Sequence, residues 1–126
     1  MVTTEISQLS GECQHWLTSL REKREEFSQF KKHLQHLVTS PVPKDDLPEV
    51  EHYDNQFEIQ LSNISQLKHA IKEHDKLVNW EQSHHNSEIT QGTQDAHKEL
   101  SGRVEVILHH LDELKTEFSC FTKKTR

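Results

Sequence analysis

The stretch Thr39–Val50, TSPVPKDDLPEV, holds all three prolines of the chain, Pro41, Pro43 and Pro48, and lies between two long patterned segments. It is either a tether between independent units or a corner inside one unit, and that choice decides the fold. The residues on either side supply the answer.

Upstream, Ile6, Leu9, Cys13, Trp16, Leu20, Lys23, Phe27, Phe30, Leu34 and Leu37 follow one another in alternating steps of three and four. Such steps keep one line of side chains on the same side of a helix. Nine of the ten are apolar, and Lys23 can bury its methylene stem while its amine reaches water. Downstream, Val50, Phe57, Ile64, Ile71 and Val78 recur every seven residues, widened by Tyr53, Leu61, Leu67 and Leu77 and interrupted by Gln60 and His74. The apolar signal stops around QSHHNSEITQGTQ, where turn formers take over. It resumes at Ala96, Leu100, Val104, Ile107, Leu111, Leu114, Phe118 and Phe121. Gly102 costs this third segment about 1 kcal/mol relative to alanine, too little to override the stripe.

An isolated amphipathic helix gains most of its stability from packing, so none of the three stripes can stay wet. The proline stretch is therefore expected to be a corner that returns the second helix onto the first. Pro43 and Pro48 stop and restart helical geometry, Asp45 or Asp46 caps the new amino end, and Leu47 and Val50 resume the core. The spacing predicts a single all-α, antiparallel up-down-up three-helix bundle over residues 1–126. Its helices are expected near 3–38, 47–82 and 93–122, followed by a solvated basic tail at 123–126.

Composition agrees. Hydrophobic residues make up only 31% of the 126, charged residues reach 29%, and there are three glycines, a balance that suits long helices with narrow apolar stripes. Net charge is −6, concentrated in residues 39–86 with four basic and nine acidic side chains. An acidic middle with no basic face repels phosphate backbones, so nucleic acid is not expected as a partner. No apolar run approaches the ~20 residues that cross a bilayer, and MVTTEISQLSGE lacks the layout of a signal peptide, which points to a cytoplasmic protein. Asn63-Ile64-Ser65 matches a glycosylation sequon and in that setting reads as chance. Cys13 and Cys120 do not make a disulfide framework; their places on the first and third helices put them roughly 30 Å apart by helix rise.

Phe30, then Leu37, then Asp46, Leu47 and Val50 at their spacing, with Ile107, Leu111 and Leu114 along the third seam, resemble a spectrin repeat. In that family a large aromatic of the first helix is followed by a break and an Asp-Leu pair opening the second. Here Phe30 stands where the family has tryptophan, and Trp16 lies two heptads earlier on the same seam. The resemblance implies a left-handed coiled-coil unit serving as spacer or docking surface in cytoskeletal, junctional or nuclear-envelope scaffolds, with no catalytic residues.

Candidate sites are few. Eleven histidines invite a metal reading, and Glu12/His15, Glu49/His52 and Glu81/His84 have the Glu-x-x-His spacing of di-iron bundles. In the assigned registers these pairs flank the seam or end a helix, and the adjacent pairs His84-His85 and His109-His110 point about 100° apart on a helix. His33 and His36 share a face without Cys or carboxylate company. No metal ligand, cofactor or catalytic residue is therefore assigned. Cys13, on a seam, reads as a small buried hydrophobe. Trp80 either caps the core beneath the polar turn or anchors a partner. The expected function is a noncatalytic protein-interaction or scaffold module. Two other readings stay open: an oligomeric coiled-coil subunit that self-associates, and a helical metal-binding protein.

Overall fold

The computed structural model describes residues 2–39, 47–84 and 89–125, with side chains from 8–37, 47–84 and 89–123. Three helices fill it: α1 (Val2–Thr39), α2 (Leu47–His84) and α3 (Gln91–Thr125). The helices run one to three residues past their expected bounds, except that α2 starts at Leu47 as expected. The corner at 40–46, the caps at Asp45 and Asp46, and Arg126 lie outside the described residues, while Lys123–Thr125 of the expected tail continue α3 as helix.

Contacts between named pairs set the helix directions. Ser10 and Gln14 of α1 hydrogen-bond Asp75 of α2, whereas Lys31 pairs with Asp54 and Glu58, so α1 and α2 run oppositely. His74 meets His97, and Tyr53 meets Phe121, so α3 runs opposite to α2. Lys23 reaches Asp112, and Lys115 donates to Glu26 at 2.8 Å, which lays α1 and α3 side by side in the same direction.

The three seams close on one another. Leu20, Phe27, Phe57, Ile64, Ile71 and Leu111 are fully enclosed. Burying each such side chain contributes about 1.5–3 kcal/mol before the cost of ordering it. At the end of the bundle near the 39–47 connection the core is aromatic: Phe27, Phe30, Tyr53, Phe57, Phe118 and Phe121 form a chain of ring contacts at centroid separations of 4.9–6.4 Å. Towards the other end the core turns polar. The seam of α2 continues through His74 and Glu81, and that of α3 begins with Thr93 and His97, all four buried.

Two expectations about the core are corrected. Leu47 is 40% exposed and Leu77 43%, so neither belongs to it; the spacing that buries Val50 and Val78 turns them outward. Ala96 is only half-buried, and its neighbour His97 takes the seam position.

Candidate functional site

The polar end of the core brings three donors together, one from each helix. Cys13 of α1, His74 of α2 and His97 of α3 are all buried, and one ligand atom of each lies within 4.8 Å of the other two. Among the described residues this is the one group of three with such spacing. Every member sits on the alternating three–four seam of its own helix, which is why the bundle aims all three inward.

His74 Nε2 and His97 Nδ1 are 3.0 Å apart, a hydrogen bond in which one ring donates and the other accepts. The Trp16 indole covers the His97 ring at a centroid distance of 4.7 Å. On its far side, His97 Nε2 lies 3.4 Å from Glu12 Oε1, but it is out of line for a hydrogen bond and is a buried polar atom with no hydrogen-bond partner. Asp75 stands beside the group, its carboxylate held by the Ser10 hydroxyl at 2.9 Å and the Gln14 amide at 3.1 Å.

These surroundings set the protonation states. Burial, then the negative charges of Asp75 and Glu12, push the Cys13 thiol up to about 12 from 9.0. Burial, followed by the neighbouring His97, lowers His74 below the usual histidine value, with Asp75 and Glu81 opposing. At neutral pH the group therefore holds a protonated thiol and a neutral His74. A sulfur and two imidazole nitrogens are also the donor set that a borderline-soft transition cation takes.

The sequence-spaced histidine pairs go elsewhere. His15 is exposed while Glu12 turns to His97; His84 lies on the surface against Trp80 while Glu81 is buried; His109 pairs with Glu113 at 2.7 Å. His33 packs its edge on Phe118, and His85 lies outside the described residues. Cys13 and Cys120 are both free, the second exposed.

Trp80 is 50% exposed, its indole stacked on His84 at 4.4 Å, so it is not the cap of the core. That position belongs to Glu81, which accepts hydrogen bonds from the Thr90 amide and from Thr93 Oγ1 at the start of α3.

A surface feature also departs from expectation. Averaged along the chain the middle is acidic, yet Lys68 of α2 lies among Lys72 of its own helix and Arg21 and Arg24 of α1. Lys68 is lowered below the usual lysine value by partial burial and then by Lys72, Arg24 and Arg21. Arg21, Arg24, Lys32 and Lys68 line one shallow depression with Glu25, Ser28 and Gln29. Pairing of helices creates this basic face, which a linear count of charges cannot show.

No helix among the described residues is long and apolar enough to cross a membrane. No protein-family model, curated protein or solved structure matches the chain.

Proposed function

We propose that the chain is a noncatalytic protein-interaction or scaffold module that presents the basic face of α1 and α2 to an acidic segment of a partner protein. The observation that carries this reading is the gathering of Arg21, Arg24, Lys32 and Lys68 around one depression, where partial burial and then the like charges of Lys72, Arg24 and Arg21 already disfavour the Lys68 charge. Carboxylates brought to that face would relieve the repulsion and gain charge-assisted hydrogen bonds. The occupant is a short acidic segment, because a long polyanion would run past the basic face onto the surface of a chain whose net charge is −6. Exposed Trp80 and Leu77, one helical turn apart on α2, offer a separate apolar anchor. The continuous core supplies the rigidity that a spacer of the spectrin-repeat kind needs, and the setting that goes with it is a cytoplasmic or cytoskeletal scaffold.

The test compares protein capture by the intact chain, by Arg24→Glu/Lys68→Glu, and by a core-disrupted Leu111→Asp control. Partners held by the intact chain, released by salt and lost from both variants fit the reading. Partners retained by the charge-reversed chain remove the basic face from recognition, and partners retained by Leu111→Asp remove the folded surface altogether. Sedimentation of the intact chain alone identifies a second copy as the occupant if mass rises with concentration.

A further inference from the structure

We propose that Cys13, His74 and His97 are the protein ligands of a single Zn²⁺ ion, one donor from each helix, with the remaining tetrahedral position left to a solvent molecule.

The spacing of the donors is the first ground. Tetrahedral Zn²⁺ with nitrogen ligands at ~2.0–2.1 Å and a sulfur ligand at ~2.3 Å places its donors roughly 3.3–3.6 Å from one another. His74 Nε2 and His97 Nδ1 stand 3.0 Å apart, and Cys13 joins them inside a 4.8 Å limit. To seat the ion the two imidazole nitrogens part by a few tenths of an ångström and the Cys13 sulfur closes in by up to about 1.2 Å. Nitrogen and sulfur donors suit Zn²⁺ and disfavour Mg²⁺ and Ca²⁺, which take oxygen.

The second ground is His97 Nε2. A histidine that ligates a metal through one nitrogen characteristically turns its other N–H to a carboxylate, which fixes the tautomer. Here Nδ1 faces the site and Nε2 faces Glu12 Oε1 at 3.4 Å, a buried nitrogen without a hydrogen-bond partner. With Nδ1 committed to the ion, the proton resides on Nε2, and a small turn of the His97 ring or the Glu12 side chain would bring the two into line for a hydrogen bond. In the bare His74–His97 hydrogen bond nothing holds it there.

The third ground is charge. Glu12 on α1 stands 3.4 Å from His97 Nε2, and Asp75, the sequence neighbour of His74 on α2, is fixed by Ser10 and Gln14. Both carboxylates favour a dication between the helices. The exchange balances as Zn²⁺ plus the Cys13 thiol and two neutral imidazoles giving a zinc thiolate with two imidazole ligands and one released proton. No electrons move. The affinity therefore rises with pH as the departing proton becomes easier to lose.

A plain core would be served better by leucine at all three positions, since polar groups buried without full pairing cost stability. A neutral His–His hydrogen bond satisfies two of the four ring nitrogens and gives the thiol no role. Zn²⁺ gives each donor one.

The experiment uses the full untagged chain, stripped with chelator and then titrated with ZnCl₂ by calorimetry and with CoCl₂ by absorption. The expected result is one Zn²⁺ per chain with about one proton released near neutral pH. Co²⁺ should give a near-ultraviolet thiolate-to-metal band and the intense visible bands of a tetrahedral site. Cys13→Ser should abolish the charge-transfer band, and His97→Gln should weaken binding at least about 100-fold, while His109→Gln on the surface binds as the parent does. Circular dichroism checks that each variant is folded, and the parent's cobalt spectrum decides the matter if a variant is not. Zinc that binds only through surface histidines, a cobalt spectrum without thiolate character, or binding indifferent to Cys13→Ser overturns the site.

Discussion

The Glu81 carboxylate at the end of α2 accepts a hydrogen bond from the Thr90 amide at 2.8 Å, and Thr90 in turn caps α3 by accepting from the Thr93 amide at 3.3 Å. The helix end is thereby doubly served: a side-chain oxygen takes one free N–H, and a buried negative charge sits at the positive end of the α3 dipole. Glu81→Ala leaves the Thr90 amide and the Thr93 hydroxyl without their acceptor and should cost about 1–3 kcal/mol. Thr90→Ala should cost about 1 kcal/mol. Because the two share one network, the double variant should lose less than the sum in urea unfolding. Strict additivity would show that the two residues act separately.

Stability should fall as acid is added below the ordinary histidine range. Burial and His97 hold His74 below its usual 6.5, so between that value and the lower folded one the unfolded chain binds a proton that the folded chain refuses. The slope from this residue is at most about 1.4 kcal/mol per pH unit, with stability highest above pH ~6.5. Asp75 and Glu81 oppose the shift and Cys13 stays neutral throughout. Urea midpoints of metal-free protein from pH 7.5 to 5 should decline, and His74→Gln should flatten the curve. An equal decline in that variant assigns the acid sensitivity to other groups.

The two thiols should differ sharply. Cys120 is exposed, whereas Cys13 is enclosed and its thiol is pushed up to about 12. Since the thiolate is the reactive form, a disulfide reagent at pH 8 should label one cysteine quickly and the second only after denaturation. Rapid labelling of both in the native protein contradicts the packing of α1. The raised thiol also predicts weakening in alkali. Above pH 9 the unfolded chain ionises first, so folding loses up to about 1.4 kcal/mol per unit until the folded thiol follows.

Neighbouring positions on α2 and α3 should respond oppositely to alanine. Phe57 is fully buried among Phe27, Tyr53 and Phe118, and Phe57→Ala should cost about 3–5 kcal/mol. Ile59, two residues on and 50% exposed, should change by about 0.5 kcal/mol or less. Gly102 lies in mid-helix with open space where a methyl would go, so Gly102→Ala should stabilise by about 0.5–1 kcal/mol. Chemical denaturation of the three variants checks the set, and a neutral Phe57→Ala would be the most damaging outcome.

The bundle was legible because apolar residues at alternating steps of three and four advertise themselves; Leu20, Ile64 and Ile107 are buried as their spacing requires. The polar end was not, because a hydropathy pattern treats His74 and Glu81 as interruptions and places the start of the third stripe at Ala96. The signal was arithmetic: carried through the polar residues, the steps 71, 74, 78, 81 and 93, 97, 100, 104 stay unbroken, and Cys13 already lay on its own seam. The histidine pairs adjacent in sequence were rightly set aside, since neighbours on one helix diverge, but spacing within one helix cannot show donors that converge from three helices and are 23 or more residues apart. The basic face of Arg21, Arg24, Lys68 and Lys72 was hidden for the same reason.

The core, the buried Cys13–His74–His97 group and the basic face all require the three seams to meet within one molecule. Isotope-filtered nuclear Overhauser spectroscopy on an equimolar mixture of labelled and unlabelled chains tests this directly. Contacts of the Trp16 ring with His97, of Phe27 with Phe57 and of Tyr53 with Phe121 should appear within chains and be absent between them. The same contacts seen only between labelled and unlabelled chains would contradict the fold and replace it with an intermolecular coiled coil.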